Sequence, residues 1–416
     1  MKILYVSPNL PHKPHTGSAQ RTALLHHALS ELGEVRLVCL HSNNKLTSTD
    51  VEQLTSEFGL EAIIPRTGLL AKNPWKQIGK LNRPTAARLG NFWDASRSRF
   101  EPDPCLMAAA GVPNLLRDVS LIVGRYTTSL TALGLINQGI PAILDVDDLD
   151  SQVALSELSS ESSTVVRKWI AKRHYNNIVT RESRVFSAMD ALFVANPDDR
   201  SQAGLEHATV LPNIPFLMGG DSVNIRSPET TQKVVGCVAS WSYRPNIEGM
   251  NWFLKKVWPK ILLAKPTACM HIYGSQMSPE LKSLWNSQNN VRAIGFVDNV
   301  KDAYETMTIS ICPVQRGAGT NIKVLESAAY NRLCVLTESA SRGLTQHRNL
   351  KDTLQIATSA SDMSELCIKY LSDIRLLEVA TQQFKLAVDD NYSYDSFKKT
   401  VASSVSTVMS SIPDAS

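Results

Sequence analysis

The stretch Gly317-Ala318-Gly319-Thr320-Asn321-Ile322-Lys323-Val324-Leu325-Glu326 decides the fold. An apolar run, Ile309-Ser310-Ile311-Cys312-Pro313, precedes it, and Ser327-Ala328-Ala329-Tyr330 leads on to a second run, Cys334-Val335-Leu336. The order is strand, Gly-rich turn, short helix, strand: one parallel βαβ unit. Such a turn leaves backbone N–H groups free at a helix N-terminus, whose partial positive charge suits a phosphate. Lys323 and Glu326 are three apart and share one helix face. Ile322, Leu325 and Ala329 are expected on the opposite, apolar stripe. A cation and a carboxylate beside a phosphate-sized cradle match the needs of a nucleotide, which carries anionic phosphates and donating ribose hydroxyls. A solvated Lys and Glu on a surface helix fits the local pattern as well, because Gly-rich turns are common.

The same rhythm extends on both sides. Strands are expected at 234–239, 270–273 and 291–294, with the loop Ser242-Tyr243-Arg244-Pro245-Asn246 and a helix over 249–257 after the first. The N-terminal half repeats the alternation, with strands at 3–6, 35–40, 121–123, 142–144 and 191–194 and helices at 19–32 and 165–184. Residues 216–232, poor in apolar side chains and containing Gly219, Gly220 and Pro228, read as a linker. Alternating strands and helices in both halves predict two doubly wound α/β domains facing a cleft, at about 1–220 and 231–391. A helix pattern over 392–412 follows the second domain and is expected to pack back on the first.

Bulk properties agree with a folded protein of this size. A chain of 416 residues exceeds what one core usually holds. With 43% hydrophobic and 20% charged residues it is neither disordered nor membrane-like. A net charge of +4 is too small to argue for nucleic acid as the partner. The seven cysteines form no CxxC pair and mostly lie in apolar runs, which suits a reducing compartment. The opening apolar run stops at Pro8, too early for a signal peptide, and no stretch reaches the ~18 apolar residues of a membrane span. A cytoplasmic protein is expected.

Three further features bear on function. Gly17-Ser18 before the first helix lets a sugar or phosphate approach the backbone closely; a plain helix start capped by Thr16 or Ser18 is the alternative. No GxGxxG occurs here, which weighs against a nicotinamide cofactor. Asp145-Val146-Asp147-Asp148-Leu149-Asp150 clusters carboxylates at a strand end, beside Arg125 at the end of another. The acids read either as an Asp-x-Asp metal site or as a rim that hydrogen-bonds sugar hydroxyls or caps a helix near Ser151. The second is preferred, because the phosphate cradle lies in the other half. Finally, residues 69–99 set Lys72, Lys76, Lys80, Arg83, Arg88, Arg97 and Arg99 against Asp94, with Trp75, Phe92 and Trp93 interleaved. That mixture suits an anionic lipid surface or lipid-linked phosphate, giving a peripheral contact with the inner face of the plasma membrane. A solvated, irregular insertion is the plainer reading.

Taken together, these motifs resemble the GT-B glycosyltransferases of family 4, in particular sugar transferases found with exopolysaccharide gene clusters. The likeness rests on Ser240-Trp241-Ser242-Tyr243-Arg244-Pro245-Asn246 with Trp252-Phe253 and Val257-Trp258-Pro259, on Gly295-Phe296-Val297-Asp298-Asn299-Val300, and on Gly319 to Glu326. In the first half, Gly17 with Arg21, Asp145 through Ser151, and Leu211-Pro212-Asn213 match too. The resemblance implies metal-independent transfer of a sugar, with retention, from a nucleotide-sugar to a hydroxyl of a glycan or lipid-linked acceptor in polysaccharide synthesis, with no cofactor. Arg244 and Lys323 would neutralise the diphosphate leaving group. Glu326 would accept from the ribose. Gly317, Gly319, Thr320 and Asn321 would line the phosphate or donor sugar, and Phe296 and Val297 the base. Gly17 and Ser18 would admit the donor, Arg21 and Arg125 would lie on the acceptor or cleft side, and Asp147 and Asp148 would act on sugar hydroxyls or the acceptor proton.

Two departures from the family pattern stand out. Many members carry Glu-x7-Glu, and the position eight before Glu326 is Ala318. Many also carry a His where Asp147 or Asp148 stands. A catalytically silent GT-B scaffold that binds a nucleotide or glycan is therefore the alternative function, and the paired cations argue against it.

Overall fold

The structure, a computed structural model, describes residues 1–12, 16–41, 46–65, 102–147, 149–158, 165–202, 204–215, 233–316 and 320–411. The basic and aromatic segment 69–99, the linker 216–232, Asp148, and Gly317, Ala318 and Gly319 lie outside the described residues. The chain divides into two compact units, Met1–Pro212 with Phe397–Ser416, and Asn213–Ser396.

The first unit opens with β1 (Lys2–Ser7), α1 (Gly17–Ser30), β2 (Glu34–His41), α2 (Ser48–Phe58) and β3 (Leu60–Pro65). It continues through α3 (Pro104–Ala110), α4 (Val112–Leu115), β4 (Leu121–Arg125), α5 (Tyr126–Ala132), β5 (Ala142–Asp147), α6 (Asp150–Leu158), α7 (Val165–Phe186), β6 (Ala191–Val194), α8 (Pro197–Gln202) and β7 (Thr209–Val210). Its strands form one parallel sheet in the order β3-β2-β1-β4-β5-β6-β7. Ile3 to Ser7 of β1 and all of β4 and β5 are buried, as expected of strands covered on both faces. The sequence reading missed α2 and β3. A capping box, with Thr47 and Asp50 exchanging hydrogen bonds, starts α2, and Gly59 at φ +59° ends it.

The second unit holds β8 (Val234–Val238), α9 (Arg244–Lys256), α10 (Trp258–Ala264), β9 (Cys269–Tyr273), α11 (Pro279–Asn286), β10 (Val291–Gly295), α12 (Val300–Glu305), β11 (Ile309–Cys312), α13 (Ile322–Ala329) and β12 (Cys334–Thr337). Then come α14 (Arg348–Lys351), β13 (Gln355–Ala357), α15 (Ala360–Ser372) and α16 (Ile374–Asn391). The sheet is again parallel, in the order β10-β9-β8-β11-β12-β13. At the edge, β10 alternates buried and exposed residues, because only one face is covered.

Last in the chain is α17 (Tyr394–Ser410), counted from Phe397 onward with the first unit. It buries Phe397, Val401, Val405 and Val408, one stripe of the helix, and Lys398 Nζ lies 2.9 Å from Glu31 Oε1 at the end of α1. Among the described residues no helix is long and apolar enough to cross a membrane. Cys39, Cys237, Cys312, Cys334 and Cys367 are buried free thiols.

One close approach fixes the geometry of the second unit's functional end. Gly249 on α9 sits against the carbonyl of Pro313, just beyond β11, so that a Cβ there would lie 2.4 Å from its oxygen. Only glycine lets helix and strand end meet so tightly. Gly249→Ala is expected to destabilise the protein by about 1–3 kcal/mol, the cost of overpacking, read as a lowered urea midpoint with an unchanged m-value.

Candidate functional site

In a doubly wound sheet, ligands bind beyond the carboxyl ends of the strands, where the order reverses. In the second unit that point lies between β8 and β11. The loop after β8 is pinned by Trp241, whose Nε1 donates to Tyr273 O at 2.9 Å and whose ring meets Trp285 edge-on at 4.7 Å. Asn246, nearly buried in the first turn of α9, donates from Nδ2 to Ser240 O at 2.9 Å. Its Oδ1 receives Lys323 Nζ at 2.6 Å. Lys323 is thus held across the switch point by a residue from the other loop.

Arg244 begins α9 with its side chain 79% exposed, and its Nε donates to Glu248 Oε1 at 2.7 Å, one turn on. Arg316, from the loop after β11, grips the same carboxylate with Nε at 2.9 Å and Nη2 at 2.7 Å from Oε2. Burial pushes the Glu248 carboxyl up, but hydrogen bonds from Arg316 and Arg244 outweigh it and hold the group below its ordinary value. The sequence reading singled out neither Arg316 nor Glu248, and Asn246 only as part of a motif. The i,i+4 spacing of Arg244 and Glu248 was a readable signal. The long-range partner Arg316 was not.

Glu326 is 8% exposed on α13, and Tyr304 Oη donates to its Oε2 at 3.1 Å. Burial, and then the neighbouring Glu326 charge, raise the ionisation of Tyr304 well above its ordinary value, so the hydroxyl stays a donor. Tyr330 stacks on Tyr304 at 5.0 Å. The expected apolar stripe of α13 needs correcting. Ile322 is only half-buried, while Val324, Ser327 and Ala328 are buried along with Leu325 and Ala329. The helix runs inside the unit, and the alternation of faces fails because it is covered on nearly all sides. Asn321, at the N-cap position, makes no side-chain capping bond, and Thr320 beside it is half-buried. Val297 packs against the cluster of Tyr273, Ala303, Tyr304 and Met307, while Phe296 is 52% exposed. One continuous run of contacts therefore joins Val297, Tyr304 and Glu326.

Arg21 and Arg125, expected on the acceptor or cleft side of the first unit, are buried within it. The two side chains are 1% and 0% exposed. Arg21 donates from Nη2 to Asp145 Oδ1 at 2.6 Å and from Nη1 to Leu211 O at 2.8 Å. Arg125 Nε lies 2.9 Å from Asp145 Oδ2, its Nη2 2.5 Å from Asp147 Oδ2, and its Nη1 2.9 Å from Thr22 Oγ1. Nη1 also donates to Ser18 O, which Thr22 Oγ1 reaches at 2.9 Å. Burial pushes both guanidinium pKa values down, and the two carboxylates more than offset it, so both end above their ordinary value. Asp145 is fully buried and no rim. Asp147 sits at φ +62° and takes a further bond from Tyr126 Oη at 3.1 Å, with Tyr126 itself at φ +59°. Two buried cations require two buried anions, and Asp145 and Asp147 supply them. Gly17 and Ser18 open α1 beside this network, with Thr16 as the cap: its hydroxyl accepts from Ala19 N at 3.3 Å.

Both sheets, their strand order and the switch-point residues define a two-unit Rossmann-like fold, that of the GT-B glycosyltransferases. Residues 232–373, about a third of the chain, match the family model described as Glycosyl transferases group 1. No curated protein matches the chain by sequence. Among solved structures, S. aureus TarM in complex with fondaparinux, alpha-GlcNAc-glycerol and UDP superposes with a TM-score of 0.64 at 9% identity, covering 99% of this chain and 100% of its own. Sucrose-phosphate synthase from Thermosynechococcus elongatus gives 0.65 at 12%, with 99% and 100% covered. Anabaena HepE in complex with UDP gives 0.60 at 10%, with 98% and 100% covered.

Two outcomes follow from these charges. Asp145→Asn leaves two buried guanidiniums with one carboxylate fewer and is expected to cost about 3–5 kcal/mol, measured by urea unfolding. Glu182 on α7, buried against the start of α6, has its carboxyl raised to about 7 by burial, partly countered by bonds from Ser151. Because the folded state holds this proton more tightly than the unfolded one, stability falls as pH rises from about 4.5 to 7. Glu182→Gln is expected to remove that decline, so wild type should lose stability relative to the variant across this window and not below it.

Proposed function

We propose that the protein is a retaining, metal-independent glycosyltransferase of the family 4 type, moving a sugar from a nucleotide-sugar to a hydroxyl of a glycan or lipid-linked acceptor in polysaccharide synthesis. The observation that carries this reading is Lys323 Nζ held 2.6 Å from Asn246 Oδ1 across the β8/β11 switch point, with Arg244 opening α9 and Glu326 three residues further along α13. The group 1 domain match and the UDP held by TarM and HepE support it further.

In this reading the diphosphate lies against Lys323 and Arg244, with Thr320 and Asn321 offering backbone donors, and Gly317 and Gly319 belong to the same donor-binding set. The leaving diphosphate gains charge as the glycosidic bond breaks, so the Lys323 cation, already fixed by Asn246, stabilises the transition state without reorganising. Glu326, oriented by Tyr304, accepts from the ribose, and Phe296 and Val297 meet the base. Asp147 already holds two donors, so its part, with Asp148, is to orient a hydroxyl. The basic segment 69–99 supplies a peripheral contact to an anionic membrane surface bearing the acceptor. The protein works in the cytoplasm with no bound cofactor.

Lys323→Ala is expected to lower kcat by about 10²- to 10³-fold with the unfolding transition intact, measured as nucleotide release across a panel of UDP-, GDP- and dTDP-sugars. A wild-type protein that binds these donors but never turns them over would make it a silent scaffold instead.

A further inference from the structure

Resting on the proposed donor site, we infer that Arg316 is a third phosphate-binding cation, held in waiting by Glu248, and that the donor's diphosphate takes over this carboxylate's place. Arg244 comes from the loop after β8 and Arg316 from the loop after β11, so the two flank the switch point from opposite sides and meet on one carboxylate. The pairing does little for stability, because water screens contacts to arginines whose side chains are 79% and 44% exposed. Its charge does not balance either, since one anion serves two guanidiniums. What the arrangement supplies is a planar, two-pronged acceptor in the geometry that arginine also offers a phosphate. Arg316 binds Glu248 through both Nε and Nη2, the fork it would present to two phosphate oxygens. Lys323, the neighbouring cation, is held by the neutral amide of Asn246 and faces no such competitor there. The inferred exchange makes Glu248 a positioning residue. Without ligand it keeps two like charges together at the crevice; with ligand it retains Arg244 or releases it as the diphosphate settles.

The experiment is calorimetric titration of the full chain with inorganic pyrophosphate, and with UDP, GDP and dTDP, at low and moderate salt. Arg316→Ala is expected to weaken pyrophosphate binding roughly 10- to 100-fold and to flatten its salt dependence. Glu248→Gln is expected to tighten it severalfold at low salt, an effect that loss of a merely structural ion pair would not produce. Both positions are exposed enough for the variants to fold, and unfolding curves check that. If Arg316→Ala binds like wild type while Lys323→Ala does not, the pair is a surface ion pair only and this inference is overturned with the donor site left standing. If Lys323→Ala also binds like wild type, or the wild type binds none of these ligands, the donor site itself is misplaced and both fall.

Discussion

A parallel strand must be followed by a crossover, and where two neighbouring crossovers leave in opposite directions the chain parts at the strand ends. Everything functional in the second unit depends on that parting between β8 and β11. It brings Arg244 and Asn246, in the first turn of α9, to Arg316 and Lys323 beyond β11, although seventy or more residues separate them in sequence. The gap stays narrow because Gly249 allows α9 to touch the carbonyl of Pro313. The charges gather without collapsing because Glu248 and Asn246 hold them.

The first unit handles charge by the opposite route. Its switch point lies between β1 and β4, and the cations there are sealed rather than offered. Arg21 and Arg125 are satisfied by Asp145, Asp147, Leu211 O and Ser18 O, which tie α1, β4, β5 and the segment after β7 into one knot. Removing water from four charges is costly, and the geometry must be good to recover it. The left-handed backbones of Tyr126 and Asp147, uncommon for such side chains, show that the chain is bent to meet this requirement.

Much of this was legible in the sequence. Strands buried on both faces announce themselves as short apolar runs, which is why β1, β4, β6, β8 and β11 could be placed within a residue or two. The positions of Lys323 and Glu326 on α13 and of Arg244 at the start of α9 were readable because helix starts are set locally. What failed did so for separate reasons. The edge strand β3 and the helix α2 depend on a capping box and a left-handed glycine rather than on an apolar run. The partners of Arg21 and Arg125 lie as far as 190 residues away, so a charge that looked ligand-facing proved to be a structural counter-ion. On α13 the two-faced pattern was misleading because tertiary packing covers nearly every side.

α17 is a piece of the first unit that follows the whole of the second in sequence. Until that helix arrives, the first unit lacks Phe397, Val401, Val405 and Val408 from its interior. The first unit therefore completes its hydrophobic interior last, although its strands were synthesised first. Any shortening of the chain before Phe397 would strip buried side chains from the unit whose strands come earliest, not from its neighbour.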